Sequence, residues 1–167
     1  VEAGSRNAID EMHRLLTTLR DADSRETEAA APSTLGVHSL EQLIEETRTA
    51  GMPTRFEHLG DPRPVSSATA VTLYRVTQEA LTNARKHAGP NGDADVRVRW
   101  SDSSVEIEIS NSGRAPRRQP STGLGLIGMA ERVKAVDGTL ELRPRSRGGF
   151  LVRAVLPLQT DASEGRA

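Results

Sequence analysis

The sequence predicts an α+β domain: a mixed, mostly antiparallel sheet with helices over one face. Three observations predict it. Two pairs of short segments alternate polar and apolar residues around tight turns, which is the signature of β-hairpins. Three apolar-periodic segments between and before them have helical spacing. The resulting order is helix, strand, helix, two strands, helix, two strands, and strand pairs joined by tight turns cannot all be parallel.

Each element follows from local chemistry. "RNAIDEMHRLLTTLRDA" places Ile9, Met12, Leu16 and Leu19 at three- and four-residue steps, an apolar seam on a helix. "DSRETEAAAPSTLG" follows, rich in Ala, Ser, Thr and charge, and is expected to be a linker. Ser39 is the expected N-cap of "LEQLIEETRTA", and Gly51 the residue that stops it. "TRFEHL", between Pro53 and Gly60, is a short strand candidate. The next helix is predicted from about Ser67 to Ala88. "ADVRVRWS" and "SVEIEIS" form a hairpin around Asp102 and Ser103. A polar, Pro-containing loop is expected from Asn111 to Thr122. The third helix then runs to Gly138, and "TLELRP" with "GFLVRAVLP" makes the second hairpin around "RSRGG". The expected organisation is therefore a helix end over 1–24, a linker over 25–38, a folded domain over 39–158 and a disordered tail over 159–167.

Composition limits the function classes. The chain has 167 residues, a net charge of −1 and 2% aromatic residues. Neither the basic excess that neutralises phosphate backbones nor the aromatic platforms that stack bases are present, so no nucleic-acid partner is expected. Without cysteine, disulfides and thiolate metal sites are excluded. No apolar run approaches the roughly 18 residues that span a bilayer. The chain is expected to be the soluble, cytoplasmic piece of something longer, related to a membrane only through missing N-terminal regions.

Two stretches carry candidate chemistry. "TGLGLIGMAER" reads Gly123-x-Gly125-x-x-Gly128 into a helix, and bare backbone at a helix N-terminus can cradle phosphate. A dinucleotide fingerprint must directly follow a strand and open a βαβ unit. Here a loop precedes it, and too little chain follows Glu141, the candidate ribose-binding acid. A turn before a core helix and a lid over a triphosphate both remain open; Gly128 is expected to serve helix packing. The second stretch is "QEALTNARKHA". Glu79, Asn83 and Lys86 fall within an arc of roughly 60° on a helix. Leu73, Thr77, Ala80, Leu81, Ala84 and Ala88 take the side expected to be buried. A carboxylate, an amide oxygen and an ammonium in one line suit a hydrated Mg²⁺ and the phosphates it bridges. An ordinary solvated helix face has the same composition.

Together these segments resemble the ATP-binding domain shared by sensor histidine kinases, gyrase-type topoisomerases, Hsp90-type chaperones and MutL-type repair proteins. "QEALTNARKHA" is similar to the N box, and "EIEISNSG" to the first glycine box. "TGLGLIGMAERVKAVDGTLEL" is similar to the second glycine box, and "GGFLVRAVLPL" to the closing strand. The "GLxGMxER" and "EALTNxxKHA" forms resemble histidine kinases that pair with response regulators of the nitrate-regulator type. The resemblance covers about Ser39 to Leu158. It implies a two-layer sandwich, the Bergerat ATP-binding fold, preceded by a partial dimerisation helix.

It also implies roles. Glu79 would assist phosphoryl transfer as base or orienting group, Asn83 would ligate Mg²⁺, and Lys86 would approach the phosphates, with His87 bordering the pocket. Gly113 would let the backbone pass close to adenine. Thr122, Gly123, Leu124, Gly125 and Leu126 would form the nucleotide-binding second box, with Gly123 and Gly125 as lid hinges. Arg114, Arg117 and Arg118 are lid charges that could reach phosphates. Where the family has an adenine-reading Asp, this chain has Asn111, whose amide oxygen can accept from the adenine amino group while its nitrogen donates to the neighbouring ring nitrogen. "AIDEMHRLLTTLRD" is similar to the end of a second dimerisation helix. His13 stands where Arg is usual and is followed by Arg14 rather than an acid, so the phosphoacceptor histidine is expected to be absent from this chain. The implied partners are a second copy in a homodimer and a response regulator. Two alternatives are an anti-sigma-factor-type serine kinase, against which the Ile9–Leu19 seam argues, and a non-catalytic interaction module built on the altered first box.

Overall fold

The computed structural model describes residues 37–113 and 124–158. The expected helix over 1–24, the linker up to residue 36, the lid residues Arg114, Arg117, Arg118, Thr122 and Gly123, and the tail from 159 lie outside the described residues. The elements are α1 (Val37–Thr49), β1 (Thr54–Leu59), α2 (Ser67–His87), β2 (Ala94–Trp100), β3 (Ser104–Asn111), α3 (Leu124–Ala135), β4 (Thr139–Pro144) and β5 (Phe150–Pro157). Their order is the one the sequence predicts.

The five strands form one sheet in the order β1-β2-β3-β5-β4. β1 and β2 are parallel, Thr54 pairing with Ala94 and Leu59 with Arg99, because the chain crosses back through α2 before laying down β2. The other three pairings are antiparallel. After β3 the chain leaves the sheet through α3, returns at the far edge as β4, and fills the gap with β5.

Alternation along the strands separates two faces. Val96, Val98, Val105, Ile107, Val152, Ala154 and Leu156 point inward and are buried. The intervening residues form a ladder of ion pairs on the opposite face. Arg97 Nε lies 2.7 Å from Glu57, and Arg153 Nη2 lies 2.6 Å from Glu106, which also faces Arg99. A hydrogen bond to Glu57 holds Arg97 above the usual arginine range, and one to Glu106 does the same for Arg153. The helices take the inner face. α1 packs on β1 and α2, α2 on β3, β5 and α3, and α3 on β4.

α1 covers Val37–Thr49, so Ser39, the expected cap, sits inside the helix. Val37, two residues earlier, is already helical and partly buried against the core. The end of α1 is the predicted one, with Gly51 at φ +93° donating its N–H to the Arg48 carbonyl at 2.9 Å. α2 starts where expected, and Ser66 caps it by accepting from the Thr69 N–H at 3.1 Å. Arg85, Lys86 and His87 occupy its last turn, where positive charge complements the helix dipole. α3 ends at Ala135, three residues short of Gly138. Asp137, rather than that glycine, takes the left-handed conformation, at φ 56°. Gly138 is required for another reason, since a Cβ there would lie 2.8 Å from both Leu156 Cδ2 and the Val155 carbonyl oxygen.

Candidate functional site

The expected burial of α2 holds: Leu73, Thr77, Ala80, Leu81, Ala84 and Ala88 are all buried. What that packing leaves is a cleft of about 60 Å³ between α2, the ends of β3 and β5, and the start of α3. α2 forms one wall with Ala80, Asn83, Ala84 and His87. Ile109, Asn111 and Val152 form the floor, and Leu126, Gly149 and Phe150 close the rest. The lining is mostly apolar, with a few convergent polar side chains, the usual composition of a small-molecule site.

Asn83, His87, Asn111 and Leu126 therefore meet in one place. Asn83 is half-buried and His87 exposed at the mouth. Helical geometry accounts for this pair, since residues four apart lie one above the other on a face. Lys86 is exposed and is not part of the lining. Glu79 is half-buried and lies against the first turn of α3, because a Cβ on Gly125 would collide with its carboxylate and stand 3.0 Å from its Cδ. Negative charge is favoured there by the dipole of α3. Leu124 is the first residue of α3.

Asn111 ends β3 and is buried. Its Nδ2 donates to the Ser112 carbonyl at 2.8 Å, and its Oδ1 accepts from the Phe150 N–H at 3.2 Å. Gly113, at φ +131°, packs against the end of α2: a Cβ there would lie 2.5 Å from the Ala88 carbonyl oxygen. Its backbone is thus brought under the C-terminus of α2, two residues beyond Asn111. Ser112 is fastened in turn to Asp93, whose carbonyl accepts the Ser112 N–H at 3.0 Å and whose carboxylate takes the Ser112 hydroxyl.

Among the described residues nothing rigid packs against Gly128. Of the described residues, a Cβ there would meet the guanidinium of Arg132, with Nη1 at 3.0 Å. The residues that sequence reasoning missed are Ile109, Gly149, Phe150 and Val152. Inward alternation marks Ile109, Phe150 and Val152 as core, but their meeting with Asn83 depends on a long-range register. Ser110 pairs with Leu151, across the sheet from a strand laid down after α3. No three His, Asp or Glu among the described residues could hold a metal ion by themselves. One amide oxygen, from Asn83, fits a cation that arrives already bound to phosphates. Trp100 lies at the other end of β2, about 20 Å from the cleft.

The model of the histidine kinase-, DNA gyrase B-, and HSP90-like ATPase family matches residues 68–160. Sensor histidine kinase LnrJ of Bacillus subtilis (strain 168) is 29% identical over 158 residues, which are 94% of this chain and 37% of that protein. The nitrate/nitrite sensor protein NarX of Escherichia coli (strain K12) is 30% identical over 114 residues, covering 66% of this chain and 19% of NarX. The chain thus spans well under half the length of these relatives. Among solved structures, the histidine kinase domain of a blue-light activated histidine kinase from Erythrobacter litoralis aligns with a TM-score of 0.58 at 21% identity. It covers 78% of this chain and 65% of that one. The catalytic domain of histidine kinase ThkA aligns with a TM-score of 0.55 at 21% identity, covering 71% of this chain and 93% of that domain. No described helix is long and apolar enough to cross a membrane.

Proposed function

The chain belongs to the histidine kinase-, DNA gyrase B-, and HSP90-like ATPase family, and from that premise we propose that its cleft binds Mg-ATP as the catalytic part of a histidine kinase. The observation that carries this reading is the meeting of Asn83, His87 and Asn111 around one apolar cleft. The adenine ring enters between the apolar walls, with Asn111 reading its edge. The triphosphate runs outward past Asn83 and His87, under the basic last turn of α2, where Lys86 adds charge. Thr122, Gly123, Leu124, Gly125 and Leu126 supply the glycine-box side of the nucleotide site, and Gly113 the backbone turn beside adenine.

Asn83 is the residue that would hold Mg²⁺, whose chemistry is to bridge and neutralise phosphate oxygens. Glu79 assists as base or as the group that orients the acceptor. Little covalent chemistry is asked of this chain, because phosphoryl transfer is catalysed mainly by positioning and charge. The γ-phosphoryl group passes to a histidine nitrogen on a dimerisation helix: the P–N bond forms as the bond to the β,γ-bridging oxygen breaks, and ADP leaves. The partners are then a second copy of the full-length protein and a response regulator, and the domain works on the cytoplasmic side of a sensor. Its relatives are sensor histidine kinases, which supports this order of events.

The experiment is to supply a fragment bearing dimerisation helices with their histidine and follow γ-labelled ATP. Labelled protein phosphate that survives base and is lost in acid is expected. Label that survives acid would support a serine kinase instead, and nucleotide binding without any labelled protein would contradict the kinase reading.

A further inference from the structure

Among the residues lining the cleft, Asn111 is the buried polar side chain, and both ends of its carboxamide are anchored. A carboxamide offers two lone pairs and two N–H donors. Phe150 N–H takes one lone pair and the Ser112 carbonyl takes one N–H. One lone pair and one N–H remain for a ligand. Rotating the amide by half a turn would set its NH₂ against the Phe150 N–H and its oxygen against the Ser112 carbonyl, so its orientation is fixed. The backbone of the same residue is held from a third direction. Its carbonyl oxygen accepts from Arg145 Nη1 at 3.0 Å, across 34 residues of sequence. The turn carrying Arg145 is closed by hydrogen bonds from the Arg145 N–H to the Gly149 carbonyl and from the Gly148 N–H to the Arg145 carbonyl. Gly149 then approaches the Asn111 carbonyl so closely that a Cβ would collide with it.

We propose that Arg145 is a positioning residue for nucleobase recognition: by holding the Asn111 carbonyl it fixes the depth and tilt of the carboxamide, whose remaining acceptor and donor read the 6-amino group and ring N1 of adenine together. The inference rests on the nucleotide reading of the cleft and adds the basis of its selectivity. A 6-oxopurine carries the opposite order of donor and acceptor along that edge, and meeting it would require the rotation that Phe150 and Ser112 forbid. Arg145 touches no substrate; it acts through Asn111. A charged donor suits this task, since charge-assisted bonds are shorter and stronger than neutral ones.

The test uses the 167-residue chain, with ADP and an ADP analogue in which ring N1 is replaced by C–H. Calorimetry on the unmodified chain is expected to give ADP about a five- to tenfold advantage, the worth of one neutral hydrogen bond. Arg145→Ala should bring the two nucleotides within twofold of each other, Arg145→Lys should keep an advantage above threefold, and Arg143→Ala should leave the ratio unchanged. Should Arg145→Ala fail to fold, Arg145→Gln carries the same ratio test. Equal weakening of both nucleotides in Arg145→Ala, or a ratio of one in the unmodified chain, would overturn the proposal. If the unmodified chain bound no adenine nucleotide at all, the function proposed above would fail first, a result the ratio test does not mimic.

Discussion

Gly149→Ala isolates the contact on which the floor of the cleft depends. Gly149 sits at φ +85° and its missing Cβ faces the Asn111 carbonyl, with the carbonyl carbon 2.8 Å from the ideal Cβ position. Gly89 offers the matched comparison: it sits at φ +79° with no described residue within 4 Å of a Cβ. A left-handed conformation costs a non-glycine residue about 1–2 kcal/mol, and the loss of glycine's unfolded-state freedom returns roughly 0.4–1 kcal/mol. Gly89→Ala should therefore destabilise by about 1 kcal/mol. Gly149→Ala carries the same strain and also displaces the Asn111 carbonyl. That breaks its charge-assisted bond to Arg145 and loosens the Phe150 N–H bond to Oδ1. With about 1.5–3 kcal/mol for the first and about 1 for the second, partly relaxed, the total approaches 3–4 kcal/mol. A domain of ordinary stability survives that loss. Urea unfolding followed by far-UV circular dichroism measures both variants, with the slope m unchanged if only the native state is affected. Nucleotide affinity should fall in Gly149→Ala and hold in Gly89→Ala. Gly149→Ala within about 0.5 kcal/mol of Gly89→Ala would refute the claim that this contact is rigid.

Two further outcomes follow from the same geometry. Gly128→Ala should be neutral or stabilising by up to about 1 kcal/mol, since helix propensity rises and only the Arg132 guanidinium must move; a loss above 1 kcal/mol in the same urea experiment would restore a packing role. Asn83→Ala should bind nucleotide in a way that magnesium no longer strengthens, whereas magnesium should strengthen binding to the unmodified chain more than tenfold. Unchanged magnesium dependence in calorimetry would remove Asn83 from the metal.

What the sequence made legible was governed by neighbours in the chain. The ranges of β1 and β4 match "TRFEHL" and "TLELRP" because alternation and flanking Gly or Pro are local signals. Helical spacing likewise put Asn83 on the polar stripe of α2, whereas His87 entered only through the family resemblance. Ser39 is not the cap of α1, because Val37 before it is already helical and partly buried against the core, and a serine near a helix start imitates a cap. Lys86 shares an arc with Asn83 on a helical wheel, yet the cleft lies toward Ala80 and Ala84, so His87 lines it instead. That tilt is set by how α2 rests on β3 and β5. The parallel pairing of β1 with β2, and the insertion of β5 between β3 and β4, are long-range choices that no hairpin signal encodes. Arg145 is the clearest case. In "RPRSRGG" three arginines look alike, and only the fold selects one to meet Asn111.

Calorimetric titration of the chain with ATP, with and without magnesium, tests the central claim most directly. One nucleotide per chain, bound more tightly with magnesium and preferred over GTP, is the predicted result. A folded chain that takes up no adenine nucleotide at millimolar concentration, with or without magnesium, would contradict it.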